Sequence, residues 1–336
     1  MLSLLRVASY CKTKTCNSQP ATRYRTPNTK LINFLLYATA TLIWGSTWLG
    51  IKLQLTQVPP ILSVGYRFCL AALILLVLCL ITRKRLIFSL RDQYFMAIQG
   101  VTLFGLGYCM SYLATSYMTS GLVSVVYTTM LMWNILNLKL FMRQPVAWRA
   151  FWGGMLGLSG ICIVFWHDLS SLTATKGLIG LGMALLGAYL SSLGNIVGSR
   201  NARAGIPVTQ ANVYGMAYGG LLTLGIHFAS GGSRVMDWSF GYLGPMLYLT
   251  FFGSIIAFGC YMMLIGRIGA EYAAYVTLLM PIIALMLSTF FEAYHWSVSS
   301  GLGVMIVLIG NLVTLTPAAT WLKLFKRLGF ARLQPE

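Results

Sequence analysis

Acidic side chains are scarce in this chain: 336 residues carry six Asp and Glu against 24 Lys and Arg, and charged residues of both signs make up only 9%. About a quarter of an ordinary soluble domain is charged, so a water-soluble fold is excluded. Histidine occurs three times, at His167, His227 and His295, scattered near the ends of apolar runs or in different runs, and neither His-x-x-x-His nor Gly-x-Ser-x-Gly is present. Metal-assisted or nucleophilic hydrolysis needs such clusters, which leaves an intramembrane lipid-modifying enzyme as the weaker alternative. The Gly-x-x-x-x-Gly-Lys-Ser/Thr loop that cradles ATP phosphates is missing, as are the charge rings and filter sequence of an ion channel.

Cysteines number seven, and Cys69, Cys79, Cys109, Cys162 and Cys260 fall inside apolar runs, where a thiol acts as a small hydrophobe. Cys11 and Cys16 lie in a polar stretch without further ligands, so neither a disulfide framework nor a metal site is implied, and no cofactor is expected.

What is abundant is apolar: 57% of the residues, with 34 Gly. Apolar runs cover residues 31–53, 59–82, 94–114, 118–138, 148–166, 177–199, 208–229, 241–264, 270–292 and 298–317. Each approaches the ~20 residues that a helix needs to cross a bilayer, which predicts an all-α integral membrane protein of ten transmembrane helices. Of the 24 bases, 20 lie on one side of this arrangement, Lys52, Lys176 and Arg234 on the other, and Arg67 inside a span. The positive-inside rule then places both termini in the cytoplasm. The net charge of +18 arises from bases recurring at span ends, so no nucleic-acid partner is expected.

Residues 1–30 are basic, rich in Ser and Thr and free of acid, which reads as a disordered cytoplasmic tail in preference to a transit peptide or an extended start. Residues 318–336 carry Lys323, Lys326, Arg327 and Arg332 among Leu and Phe, as does a basic amphipathic helix lying on an anionic inner leaflet.

Set against itself at an offset near 149, the chain aligns Gly105 with Gly253, Tyr112 with Tyr261, Thr128 with Thr277, and Gly153/Gly160 with Gly303/Gly310. Two repeats of five spans, residues 31–167 and 175–317, enter the membrane in opposite senses and supply the two-sided symmetry of alternating access. Trp44-Gly45-Ser46-Thr47-Trp48 with Lys52, Arg67-Phe68 with Ala71-Ala72, Gly121, Gly269 to Tyr275, Pro281, Glu292 and Gly303 to Asn311 resemble the EamA-type branch of the drug/metabolite transporter superfamily. The resemblance covers residues 31–317. It implies a carrier of a small metabolite or drug-like solute in a bacterial inner membrane, an exporter of an amino acid or related compound first, with a nucleotide-sugar or organophosphate exchanger as the alternative. It further implies that spans 1, 3, 4, 6, 8 and 9 surround the central path. Met132-Trp133 stands where the family carries a second mid-helix proline, which predicts a straighter fourth span, and Met142-Arg143 replaces a second terminal glutamate.

Arg67 is the one base deep in an apolar run, ~12 Å from the outer end of its span. Its placement costs on the order of 3 kcal/mol, and no carboxylate shares its depth. Structural packing and direct contact with an anionic solute are both open. Uncharged polar and aromatic side chains complete a candidate cavity: Trp44, Thr47, Tyr108, Tyr112, Tyr127, Asn134, Asn195, Tyr261, Tyr275 and Thr277. Rings with OH or NH groups suit an amphipathic small-molecule solute. The alternative for Trp48 and Tyr189 is an interfacial aromatic belt. Pro281 removes the backbone bond to the Thr277 carbonyl and makes a candidate hinge. Glu271 and Glu292 bracket span 9, with Glu271 suited to the positive end of its helix. Gly153-x-x-x-Gly157 and Gly215-x-x-x-Gly219 suit packing within the chain, with a homodimer through span 5 as the lesser alternative.

Overall fold

A computed structural model describes residues 29–55, 57–143, 148–165, 174–268, 273 and 276–316. The basic tail up to residue 28, the C-terminal segment from 317, Glu271 and Tyr275 lie outside them. Among the described residues there are ten helical runs: α1 (Thr29–Leu53), α2 (Pro60–Ile81), α3 (Leu90–Tyr117), α4 (Ser120–Met142), α5 (Trp148–Phe165), α6 (Ala174–Arg203), α7 (Val208–Ala229), α8 (Phe240–Ile268), α9 (Val276–Phe291) and α10 (Val298–Leu315). Long apolar stretches of α1, α2, α3, α4, α6 and α8 are each sufficient to cross a bilayer, and shorter apolar helices lie within α5, α9 and α10. Leu73, Ile81, Phe240 and Phe290 are exposed, whereas Ser63, Thr115, Ser124 and Thr250 are fully or almost fully buried. Large apolar groups outside and small hydroxyls inside are what a lipid solvent selects.

Helix ends follow local chemistry. Pro60 opens α2, where its missing N–H costs nothing. Ser89 accepts from the Asp92 N–H and starts α3 four residues ahead of the apolar run. A reciprocal Ser297–Ser300 box starts α10. Left-handed residues Arg83 and Arg143 follow α2 and α4.

Helix α3 widens to π geometry over Gly100–Gly107, and α8 does so over Leu249–Ile256, so the two irregular segments lie 149 positions apart at both ends. At the start of the first, the Gly100 Cα rests on the Gly215 backbone of α7, where a Cβ would collide. In the second, the Ser254 hydroxyl donates back to the Leu249 carbonyl at 3.1 Å, holding the wider turn.

Helix α4 is interrupted at Thr128–Thr129, while α9 continues through the buried Pro281. The fourth span, expected to be the straighter for want of a proline, thus has an interrupted hydrogen-bond ladder. Thr128 and Thr129 each donate their hydroxyl to the carbonyl three residues back, at 2.7 Å. Their N–H groups bond the same carbonyls, which tightens the turn without a proline.

Helix α1 packs on α8 and α9, and α6 on α3 and α4, while α2 pairs with α7 and α5 with α10. Glycines set the α5–α10 spacing: a Cβ on Gly153 would lie 2.5 Å from the Gly310 carbonyl, and one on Gly160 2.6 Å from that of Gly303. Gly153 and Gly160 thus face α10 of the same chain, whereas Gly154 faces Met132 of α4 and a Cβ on Gly157 would meet nothing within 4 Å. Gly215 and Gly219 similarly face α3.

Candidate functional site

The two π-helical segments border the buried arginine. Arg67, 1% exposed, directs Nε and Nη2 to the Ser254 hydroxyl at 3.3 and 3.2 Å, and Nη1 to the Tyr112 hydroxyl at 3.4 Å. Tyr112 donates in turn to Oε1 of Gln54 at 2.7 Å. The guanidinium carbon stands 5.0 Å from the Phe68 ring centre and 4.9 Å from that of Tyr108. A Cβ on Gly253 would sit 3.3 Å from Arg67 Nη2, so glycine admits the guanidinium to the α8 backbone.

Beside it, Trp44 on α1 donates its indole N–H to the Gly253 carbonyl at 3.1 Å and packs on Phe258 and Tyr261, with ring centres 5.1 and 5.0 Å away. Thr47 donates to the Trp44 carbonyl, and its methyl lies where a Gly253 Cβ would intrude. Trp44, Thr47, Arg67, Tyr108, Tyr112 and Tyr261 thus form one neighbourhood, built from α1, α2, α3 and α8.

Other candidates lie elsewhere. Tyr127 donates to the Gly107 carbonyl at 2.9 Å and stacks edge-on against the buried Trp48, tying α4 to the end of the α3 π segment. Asn195 belongs to the α4–α6 contact: it donates to the Met130 sulfur, Trp133 meets Tyr189, and Asn137 donates to Ser192. Asn134 lies on α4 with its Oδ1 buried without a partner. Thr277 is half-buried near the start of α9.

Gln54 and the Arg200–Asp92 pair were passed over in the sequence, while Glu292 and Lys52 were noted there without the contacts they make between helix ends. Gln54 follows α1 in a turn and is fully buried, yet its position reads as a connector. Glu292 accepts from the Ser120 N–H at 2.9 Å, from the Ser120 hydroxyl, and from Ser288 at 2.8 Å, joining the end of α9 to the start of α4. Lys52 donates to the Thr115 carbonyl at 3.0 Å, joining the end of α1 to the end of α3. Arg200 pairs with Asp92 at 2.8 Å over the Phe95 ring, and Asn201 donates to Gln99, which carries α6 past the apolar run to Arg203. Among the described residues, no cluster of His, Cys, Asp and Glu could hold a metal ion.

Comparison with known proteins gives the same class. YedA, an uncharacterized inner membrane transporter of Escherichia coli K12, is 29% identical over 76% of this chain and 80% of its own. PagO of Salmonella typhimurium is 22% identical over 84% and 92%, and an uncharacterized transporter of Buchnera aphidicola from Schizaphis graminum is 24% identical over 83% and 95%. A solved crystal structure superposes with a TM-score of 0.61 at 17% identity, covering 90% of this chain and 99% of that one, which shows a shared fold. The model of the EamA-like transporter family matches residues 31–166 and again 178–316. With nearly the whole membrane region covered by two matches, the chain belongs to the EamA-like transporter family, a multi-pass integral membrane protein of the transporter class.

Proposed function

We propose that this protein is a secondary carrier that moves a small metabolite or drug-like solute, an amino acid or related compound foremost, outward across a bacterial inner membrane by alternating access. The observation that carries this reading is the pair of π-helical segments 149 positions apart, one in each family match, bordering the same aromatic and polar neighbourhood. Wide turns leave backbone carbonyls off the regular ladder and recur at functional sites. Helix pairing supports two inverted halves, since α1 packs on α8 and α9 as α6 packs on α3 and α4. The 20-to-3 distribution of bases supports cytoplasmic termini. In that orientation the Glu292–Ser120 and Lys52–Thr115 contacts lie at the outer end.

Solute flux in proteoliposomes, with and without a pH gradient, tests this. Amino acids, purine derivatives and cationic drugs form the panel. Transport of at least one class is expected to fall in Trp44→Ala and Tyr261→Ala. Turnover of a lipid in the same vesicles without solute flux would overturn the carrier reading.

A further inference from the structure

We propose that Arg67 docks the negative group of the solute, so that the carried compound is a carboxylate-bearing organic molecule with an apolar or aromatic body. This rests on the carrier reading and narrows it to a substrate class.

The first argument is charge. A guanidinium stays protonated in a protein, and a buried ion without a counter-charge is costly. Arg67 is 1% exposed, and its hydrogen-bond partners Ser254 and Tyr112 are neutral, as are the ring faces of Phe68 and Tyr108. Among the described residues, the Asp92 carboxylate is engaged by Arg200, Glu292 by Ser120 and Ser288, and Asp237 accepts the Ser239 N–H at 2.8 Å. None of the three is bonded to Arg67, whose partners are Ser254 and Tyr112.

The second argument is the count of donors. Of the five N–H groups on a guanidinium, those on Nε and one on Nη2 converge on the single Ser254 oxygen, and one on Nη1 meets Tyr112. One N–H on each terminal nitrogen remains. Gln54 is fully buried, its Oε1 is occupied by Tyr112, and its Nε2 has no partner. Unspent donors thus stand on both sides of the Tyr112 hydroxyl, and the group they lack is an acceptor with two oxygens. A carboxylate supplies both oxygens and the missing charge. The existing contacts of Arg67, 3.2–3.4 Å long, are weaker than the charge-assisted bonds of about 2.8 Å that would replace them.

The third argument is the surround. Phe68, Tyr108, Trp44, Phe258 and Tyr261 surround the guanidinium with aromatic rings, of which Tyr108 is only half-buried. One cation among aromatic rings suits a monoanion; a phosphate dianion would need further charge.

The experiment uses the full chain in nanodiscs of zwitterionic lipid at fixed ionic strength. Tryptophan fluorescence and thermal stabilisation are read against sodium benzoate, benzylamine and inorganic phosphate. Saturable binding of benzoate is expected, with a loss of about 10- to 100-fold in Arg67→Gln, as for a hydrogen-bonded charge. Gln54→Glu builds a carboxylate into the site. It is expected to raise the unfolding temperature and abolish the benzoate response, and it carries the test if Arg67→Gln does not fold. Equal benzoate affinity in Arg67→Gln, a Gln54→Glu protein that responds like the parent, or benzylamine binding as well as benzoate would each overturn the proposal. Preferred binding of phosphate would overturn the carboxylate assignment in favour of a phosphorylated solute. Flux separates the two readings: Arg67-dependent benzoate binding without transport of any solute overturns the carrier, whereas transport of neutral or cationic solutes independent of Arg67 overturns only the anion site.

Discussion

Replacing Glu292 by Gln should loosen the junction between α9 and α4. The carboxylate accepts three bonds: the Ser120 N–H at 2.9 Å, the Ser120 hydroxyl, and the Ser288 hydroxyl at 2.8 Å. Ser288 also accepts the Gly121 N–H at 2.8 Å, so two of the orphan amides at the start of α4 depend on this group. The negative charge faces the positive end of α4 as well. A hydrogen bond to a charged group contributes about 1.5–3 kcal/mol when desolvated, and the half-exposed position of Glu292 reduces that. Glutamine keeps one acceptor oxygen but turns an N–H₂ toward donors. The expected loss is about 2 kcal/mol for Glu292→Gln and about 3 kcal/mol for Glu292→Ala. The thermal unfolding midpoint in detergent and hydrogen–deuterium exchange over residues 120–123 report it directly. A double-mutant cycle with Ser120→Ala should show coupling of about 1 kcal/mol. An unchanged midpoint together with unchanged exchange in both Glu292 variants would refute the reasoning.

Other parts of the fold give further tests. Gly153→Val places side-chain atoms against the Gly310 carbonyl and Thr314 of α10, and a destabilisation of about 2–3 kcal/mol is expected in thermal unfolding. Arg200→Ala leaves Asp92 without its guanidinium and uncovers Phe95; a loss of about 2 kcal/mol is expected, with Arg200→Lys recovering part of it. Tyr112→Phe strands both Arg67 Nη1 and Gln54 Oε1, and a loss of about 2 kcal/mol should appear as a lower unfolding midpoint with retained helical circular dichroism. The double change Thr128→Ala/Thr129→Ala removes the hydroxyls that tighten the α4 turn, and slower solute exchange at unchanged stability is expected in vesicles.

Reading residues in order reached some parts of the site and missed others. Arg67 stood out because one cation in an apolar run has a large cost, and Tyr108 and Tyr112 because four-residue spacing puts them on one helix face. Both tyrosines meet Arg67. Gln54 gave no such signal: a Gln in a turn is ordinarily solvated, and here only contact with Tyr112, 58 positions away, explains its burial. Ser254 read from sequence as one polar group of a cavity lining, but its pairing with Arg67, 187 positions away, had no local signal. The sequence placed Asn134 and Asn195 with the other candidates, but Asn195 bonds Met130 of α4 in a different group, and neither is bonded to the Arg67 neighbourhood. Local composition cannot divide polar residues between two interhelical spaces.

Composition and spacing alone determined that this is an all-α membrane protein with two related halves, because bilayer thickness sets helix length and a five-span repeat leaves a direct imprint on the chain. Glycine positions and the 149-residue offset were legible for the same reason. Only the tertiary structure decided where the helices depart from regularity and what that departure holds. The widened turns of α3 and α8 coincide with close backbone approach and a hydroxyl bonded back to its own helix, and the break in α4 falls at paired threonines, with no proline there. Such irregularities depend on which helix lies alongside. A contact between residues more than a hundred positions apart has no trace in either segment until the chain is folded.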